Sequence, residues 1–223
     1  MVSNNAYERI TGMILRDELR PGTRINIDQI AHQLDVSATP VREALARLES
    51  DGLVTKVHLK GYSTAEMLGR RQLEELYELR LRLEPYSAGR AAVKATQAEI
   101  DSLHAELASC TVAPVRSDYD SYKRFSAHDA RLHALILEIA GNSLISQAIE
   151  RTHFHLHAFR LSYDASAGTH TLDEHSAVVQ AIAAGDNKAA VRAMSNHLES
   201  SRNRLLPRAS DESSPLDDAA TSR

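Results

Sequence analysis

The stretch that decides the fold is VSATPVREALARLESDGLV, residues 36–54. Ser37 or Thr39 can accept a hydrogen bond from an orphan backbone N–H, and Pro40 falls in a first helical turn, where its missing donor costs little. A helix therefore starts near Ala38, and Gly52 stops it. Val41, Ala44, Leu45 and Leu48 recur at helical spacing and form one buried stripe, which leaves Thr39, Arg42 and Ala46 on the outward side. A short amphipathic helix with polar side chains at its leading end is what a DNA major groove accepts.

Upstream, Ile27, Ile30, Ala31 and Leu34 form a second short apolar stripe. The tight Asp35-Val36-Ser37 connection joins the two as a helix-turn-helix. Downstream, Leu53 to Val57 and Gly61 to Thr64 read as two short strands around His58-Leu59-Lys60-Gly61, which completes a winged helix-turn-helix. Arg42, near the helix N-terminus, can donate two hydrogen bonds to guanine O6 and N7. A phosphate contact or a surface pair with a glutamate is its alternative. Thr39 and Ser37 suit phosphate, Arg47 lies further along the same helix, and His58, Lys60 and Gly61 of the wing can reach the backbone or minor groove.

Pro21-Gly22, Ile30-Ala31, Val36-Ser37, Thr39-Pro40-Val41-Arg42-Glu43-Ala44-Leu45, Leu48-Glu49 and Gly52-Leu53-Val54 together resemble the N-terminal domain of GntR-type bacterial transcription regulators. The resemblance covers about sixty residues. One position departs from it: an arginine commonly follows the serine in this family, and here Ala38 stands there. Because that arginine contributes to operator reading in the family, the departure implies an altered operator preference.

The chain has 223 residues, enough for two domains of modest size, each with its own core. Its net charge of −4 argues against indiscriminate polyanion binding, so DNA binding must rest on a local patch. The lone Cys110 excludes an internal disulfide, and the N-terminus lacks the blocks of a signal peptide. No apolar run reaches membrane-spanning length. These features predict a cytoplasmic protein without a membrane partner.

Beyond Met67 to Arg71 the pattern is helical, with six helices expected at roughly 71–95, 97–110, 118–140, 143–161, 171–184 and 187–205. The expected organisation is a winged domain over 1–65, a linker over 66–70, an antiparallel all-α bundle over 71–206 and a disordered tail over 207–223, so the fold class is mostly α. In the third of these helices Tyr122, Phe125, Leu132, Ile136 and Ala140 define an inward face, and Asp129 and His133 share it. His175 lies on the stripe of Leu172, Val179 and Ile182, and His197 on that of Ala190, Met194 and Ser201. A carboxylate and three imidazoles turned inward are a metal site in outline, suited to zinc, nickel or a similar divalent ion. Taken singly, an inward histidine is more often a hydrogen-bonded core residue than a ligand.

Tyr77-Glu78-Leu79-Arg80, Glu84, Asp129 and His133 followed by Gly141-Asn142, His175 before Ala181-Ile182 and Gly185-Asp186, and Asn196-His197-Leu198 resemble the effector-binding FCD domain of the FadR branch of GntR regulators, over about residues 71–205. The resemblance implies that Asp129, His133, His175 and His197 ligate a divalent metal with positions left open for a ligand. It also implies a homodimer, which a near-palindromic operator requires physically. Six helices would place the chain nearer the shorter subgroup of that branch. A small carboxylate is the effector expected at such a metal, with Arg80 or Arg160 neutralising a second charge. Arg80 could instead be braced by Glu84 alone. His153, His155 and His157 carry no assigned role.

Two other functions stay open at this level. A metal-dependent hydrolase would need a general base, for which Glu84 is the only inward candidate. A constitutive DNA-binding dimer would carry a purely structural metal.

Overall fold

The computed structural model describes residues 2–57, 61–114, 118–162 and 168–209. The chain divides into two compact units, Met1–Met67 and Leu68–Arg223.

In the first unit, α1 (Val2–Leu15) is followed by β1 (Arg24–Ile25), α2 (Ile27–Leu34), α3 (Ala38–Ser50), β2 (Val54–Val57) and β3 (Gly61–Thr64). Asn26 caps α2 by accepting from the backbone N–H groups of Asp28 and Gln29. Asp35 ends it in the left-handed region at φ 55°, which turns the chain into α3. Val41, Ala44, Leu45 and Leu48 are fully buried, as their spacing requires. Ser37 occupies the N-cap position of α3, but its side chain makes no capping hydrogen bond. The strands form an antiparallel sheet in the order β1-β3-β2, with Val54 opposite Thr64 and Arg24 opposite Ser63.

Two of these elements are absent from the sequence reading. Helix α1 packs on α3, and Ala6, Ile10, Met13, Ile14 and Leu15 are among its buried positions. Strand β1 is two residues long, too short for any alternation to announce it. His58 and Lys60 lie outside the described residues.

The second unit contains α4 (Arg70–Lys94), α5 (Gln97–Ala108), α6 (Tyr119–Ala140), α7 (Ser143–Glu150), α8 (Phe154–Ser162), α9 (Gly168–Ala183) and α10 (Asn187–Leu205). Helix α4 is central, packing on α10, α6 and α9. Its apolar partners include Ala88 and Ala91 of α4, Leu132 and Ile136 of α6, Val179 and Ile182 of α9, and Met194 and Leu198 of α10. Asp118, Asn142 and Asp186 cap α6, α7 and α10 through their side chains. Gly141 closes α6 at φ 70°, a left-handed conformation that glycine adopts without steric cost.

The expected helix over 143–161 is two helices. Arg151-Thr152-His153 breaks it, with His153 at φ 44°, and the new direction buries Phe154 and Phe159. Among the described residues seven helices thus stand where six were expected, so the count does not place the chain with the shorter subgroup. Leu206–Arg208 form a 3₁₀ turn, and residues 210–223, most of the predicted tail, lie outside the described residues.

Candidate functional site

Asp129 and His133 of α6, His175 of α9 and His197 of α10 bring one ligand atom each to within 4.8 Å of one another. The helical period explains half of this, since Asp129 and His133 lie one turn apart on the buried face of α6. Packing of α9 and α10 against α4 supplies the rest. His133, His175 and His197 are buried, whereas Asp129 keeps a side-chain exposure of 17%. His133 Nε2 stands 3.2 Å from His197 Nε2, and His175 Nε2 stands 3.3 Å from Asp129 Oδ1.

The other nitrogen of each ring is held. His133 Nδ1 donates to Glu84 Oε2, and His197 Nδ1 donates to Glu174 Oε2 at 3.0 Å. Against the penalty of burial, Arg80 and His133 hold the Glu84 carboxyl down to about 2. Burial likewise opposes ionisation of Glu174, and hydrogen bonds from Arg204 and His197 bring it to about 2. Two ionised carboxylates can only accept, so both rings carry a proton on Nδ1.

His175 is fixed by a longer relay. Glu106 accepts from Arg131 at 2.9 and 3.0 Å and from His128 Nδ1 at 2.9 Å. His128 Nε2 and His175 Nδ1 share a hydrogen bond at 3.2 Å. His175 Nε2 is left buried without a hydrogen-bond partner. Burial pushes the imidazolium form of His175 away, to about 3, and lowers His197 for the same reason. Asp129 is driven the opposite way: burial opposes its ionisation, but the surrounding His175, His133 and His197 rings hold it well below the usual carboxylate range.

The result is three imidazole rings and one carboxylate oxygen converging on one point. The donor set fits a divalent ion of the zinc type, with outer partners orienting every imidazole.

Arg80 stands beside this cluster, 3% exposed. Its Nε donates to Glu84 Oε1 at 2.5 Å and its guanidinium stacks over Phe154 at 3.7 Å from the ring centroid. The bracing pair with Glu84 is therefore real, yet Nη1 has no partner. Glu84, the candidate general base, is occupied by Arg80 and His133. Arg160 is half-buried on α8 and lines neither cavity that adjoins the cluster. His155 lines both.

In the first unit, Ser37, Thr39, Arg42 and Gly61 are exposed. Arg47 is exposed but engaged, donating to Asn4 Oδ1 at 2.8 Å and lying 4.1 Å over the Tyr7 ring of α1. The Tyr7 hydroxyl donates to Asp51 Oδ2 at 2.5 Å.

Sequence reasoning missed Glu106, His128, Glu174 and Arg204. His128 was within reach, since it lies three residues from Phe125 and four from Leu132 on the inward stripe. Glu106, Glu174 and Arg204 carry no local signal, because their partners are 22, 23 and 30 residues away.

A winged helix-turn-helix joined to an all-α unit with an Asp/His cluster defines a DNA-binding regulator with a separate helical domain. Residues 2–63 match the model of bacterial regulatory proteins of the gntR family, and residues 75–200 match the FCD domain. The chain belongs to the GntR family of transcription regulators and carries an FCD domain. It is 26% identical over 186 residues to the HTH-type transcriptional regulator YdhC of Bacillus subtilis (strain 168), covering 82% of each chain. It is 34% identical over 138 residues to an HTH-type transcriptional regulator in the TAR-I ttuE-ttuC' intergenic region of Agrobacterium vitis, covering 60% of this chain and 78% of that one. Among solved structures, E. coli McbR/YncC shares the fold at a TM-score of 0.70 and 18% identity, over 93% of this chain and 98% of that chain. No helix among the described residues is long and apolar enough to cross a membrane.

Proposed function

We propose that this regulator binds a near-palindromic operator as a cytoplasmic homodimer, and that a small organic acid held at a metal centre in the helical unit modulates that binding. The observation that carries the reading is the convergence of Asp129, His133, His175 and His197, one ligand atom each within 4.8 Å of the others, along a cavity that Arg80 also lines. Asp129, His133, His175 and His197 would hold the ion, zinc or nickel by their chemistry. When bound, the ion supplies open coordination positions for a carboxylate oxygen.

Arg80 offers a fixed donor to the acid's remaining charge. Its planar guanidinium is held by Glu84 and Phe154, so little freedom is lost when Nη1 gains an acceptor. Glu84, Glu174 and the Glu106–His128 pair fix the three imidazoles. In the winged unit Arg42 reads bases, and Ser37, Thr39, His58, Lys60 and Gly61 contact the backbone. The acid can weaken operator binding only if the DNA-bound form binds it less well.

The test is a fluorescence-polarisation titration of the zinc-loaded chain on DNA from its own upstream region. We expect a sequence-specific complex whose affinity changes when a carboxylate that binds the protein is added. A complex unaltered by every acid that binds would leave the metal a structural role. Turnover of esters or amides that is lost in Asp129→Ala would instead favour a hydrolase.

A further inference from the structure

A buried metal site needs a path by which its ion enters. His133, His175 and His197 are 7%, 1% and 2% exposed, so the way in leads past Asp129, whose side chain keeps 17%. Two cavities adjoin that carboxylate: a cleft of about 720 Å³ between α6, α7 and the start of α8, and a space of about 60 Å³ between α6, α8 and α10. They share three lining residues, Asp129, Phe154 and His155.

Phe154 offers no ligand atom. Its ring is pinned by the Arg80 guanidinium 3.7 Å from its centroid and by the Tyr77 ring at 5.3 Å, which fixes the start of α8 and His155 with it. Ser126 Oγ of α6 donates to the His155 backbone carbonyl at 3.4 Å. The His155 imidazole itself is half-buried, and among the described residues no hydrogen bond holds it. In this it differs from His128, His133, His175 and His197, each of which has a neighbour on its ring. Burial pushes its imidazolium form away, which leaves a lone pair for a cation. Glu138 and Glu150 line the same cleft at exposed positions and favour positive charge in it.

We infer that His155 is a capture ligand, which takes up an incoming divalent cation from the cleft and passes it to Asp129 and the three inner histidines. This rests on the metal reading above and adds the route of entry. In the first exchange a ring nitrogen of His155 replaces one water of the hydrated ion; in the next, Asp129 Oδ1 replaces that nitrogen. His155 then stands outside the final set of four ligands. A group passed on the way in is passed again on the way out, so its loss slows both directions and leaves the equilibrium affinity in place.

The test is stopped-flow zinc transfer with the full chain, measuring uptake of free zinc by the stripped protein and release to a chromophoric chelator. Wild type is compared with His155→Ala, His155→Gln and His157→Ala. His157 belongs to the same helix and lines neither cavity, so its removal controls for the loss of an imidazole from α8. We expect both rates to fall at least about tenfold in the two His155 variants, with unchanged equilibrium affinity in chelator competition. His157→Ala should keep wild-type rates.

Wild-type rates in both His155 variants overturn the inference and leave the metal reading intact. Faster release with weaker equilibrium binding makes His155 part of the final site or a brace for it, and also overturns the inference. Equal slowing in His157→Ala assigns the effect to packing of α8 and does the same. Failure of the wild-type chain to bind zinc overturns both readings.

Discussion

Glu174 accepts from His197 and is clamped by both terminal nitrogens of Arg204 at 2.8 Å. Glu174→Gln keeps the acceptor but removes the charge that holds the His197 proton on Nδ1. Such outer-shell changes weaken metal binding by about 10- to 100-fold. We therefore expect zinc affinity to fall by that factor in competition with a chromophoric chelator, with the four ligands intact. Undiminished affinity would mean that the carboxylate merely braces α9 against α10.

The reading helix poses its own question at this scale. Arg42 is exposed at the outward side of α3, and Ala38 is its first residue. Arg42→Ala should abolish specific binding, a loss of about 1–3 kcal/mol per bidentate base contact. Ala38→Arg should shift operator preference. Selection from randomised DNA measures both, and unchanged specificity in both variants would show that α3 is not the reader.

At the scale of elements, Arg47 joins α3 to α1 through Asn4 and Tyr7. We place it as a support of the reading helix as much as a DNA contact. Arg47→Ala should lower the stability of the winged unit by about 1 kcal/mol, the sum expected of an exposed cation–π contact and a side-chain hydrogen bond. Chemical denaturation measures this without DNA; an unchanged midpoint would return Arg47 to DNA contact alone.

The α7–α8 break belongs to the same scale. His153 holds a left-handed backbone at φ 44°, a conformation that costs a non-glycine residue about 1–2 kcal/mol. His153→Gly should raise the thermal midpoint of the helical unit by a few degrees. A lowered midpoint would mean that the imidazole contributes more than its backbone strain costs. The sequence around it carries neither glycine nor proline, which is why periodicity alone ran one helix through 143–161. Burial of Phe154 and Phe159 ends that helix, and such burial exists only once α6 is in place.

For the whole molecule, two units that cluster separately should respond separately to chelation. A ligand present at a hundred times its dissociation constant stabilises the fold that binds it by about 2.7 kcal/mol. For a unit of this size that corresponds to about 5–10 °C. Scanning calorimetry with and without a strong chelator should show that loss in the helical unit and none in the winged unit. Equal shifts in both units would contradict a metal confined to the helical one.

The winged helix-turn-helix was legible because its parts are local. The caps, the Val41–Leu48 stripe and the Gly52 stop lie within twenty residues of one another, and the short linker at Asp35–Ser37 leaves few alternatives. Asp129 and His133 were legible for the same reason, being one turn apart on one face. Tertiary structure alone decided that His175 and His197 meet them, because α9 and α10 are brought to α6 by packing on α4 and, for α9, on α5. It alone decided how each ring is held, since Glu84, Glu106 and Glu174 reach their histidines across tens of residues. It also decided that Arg80 is both paired and one donor short, and that α7 stands off its core over a cleft. A sequence records which side chains share an element face; which faces meet, and what space they leave between them, depends on packing among elements far apart in the chain.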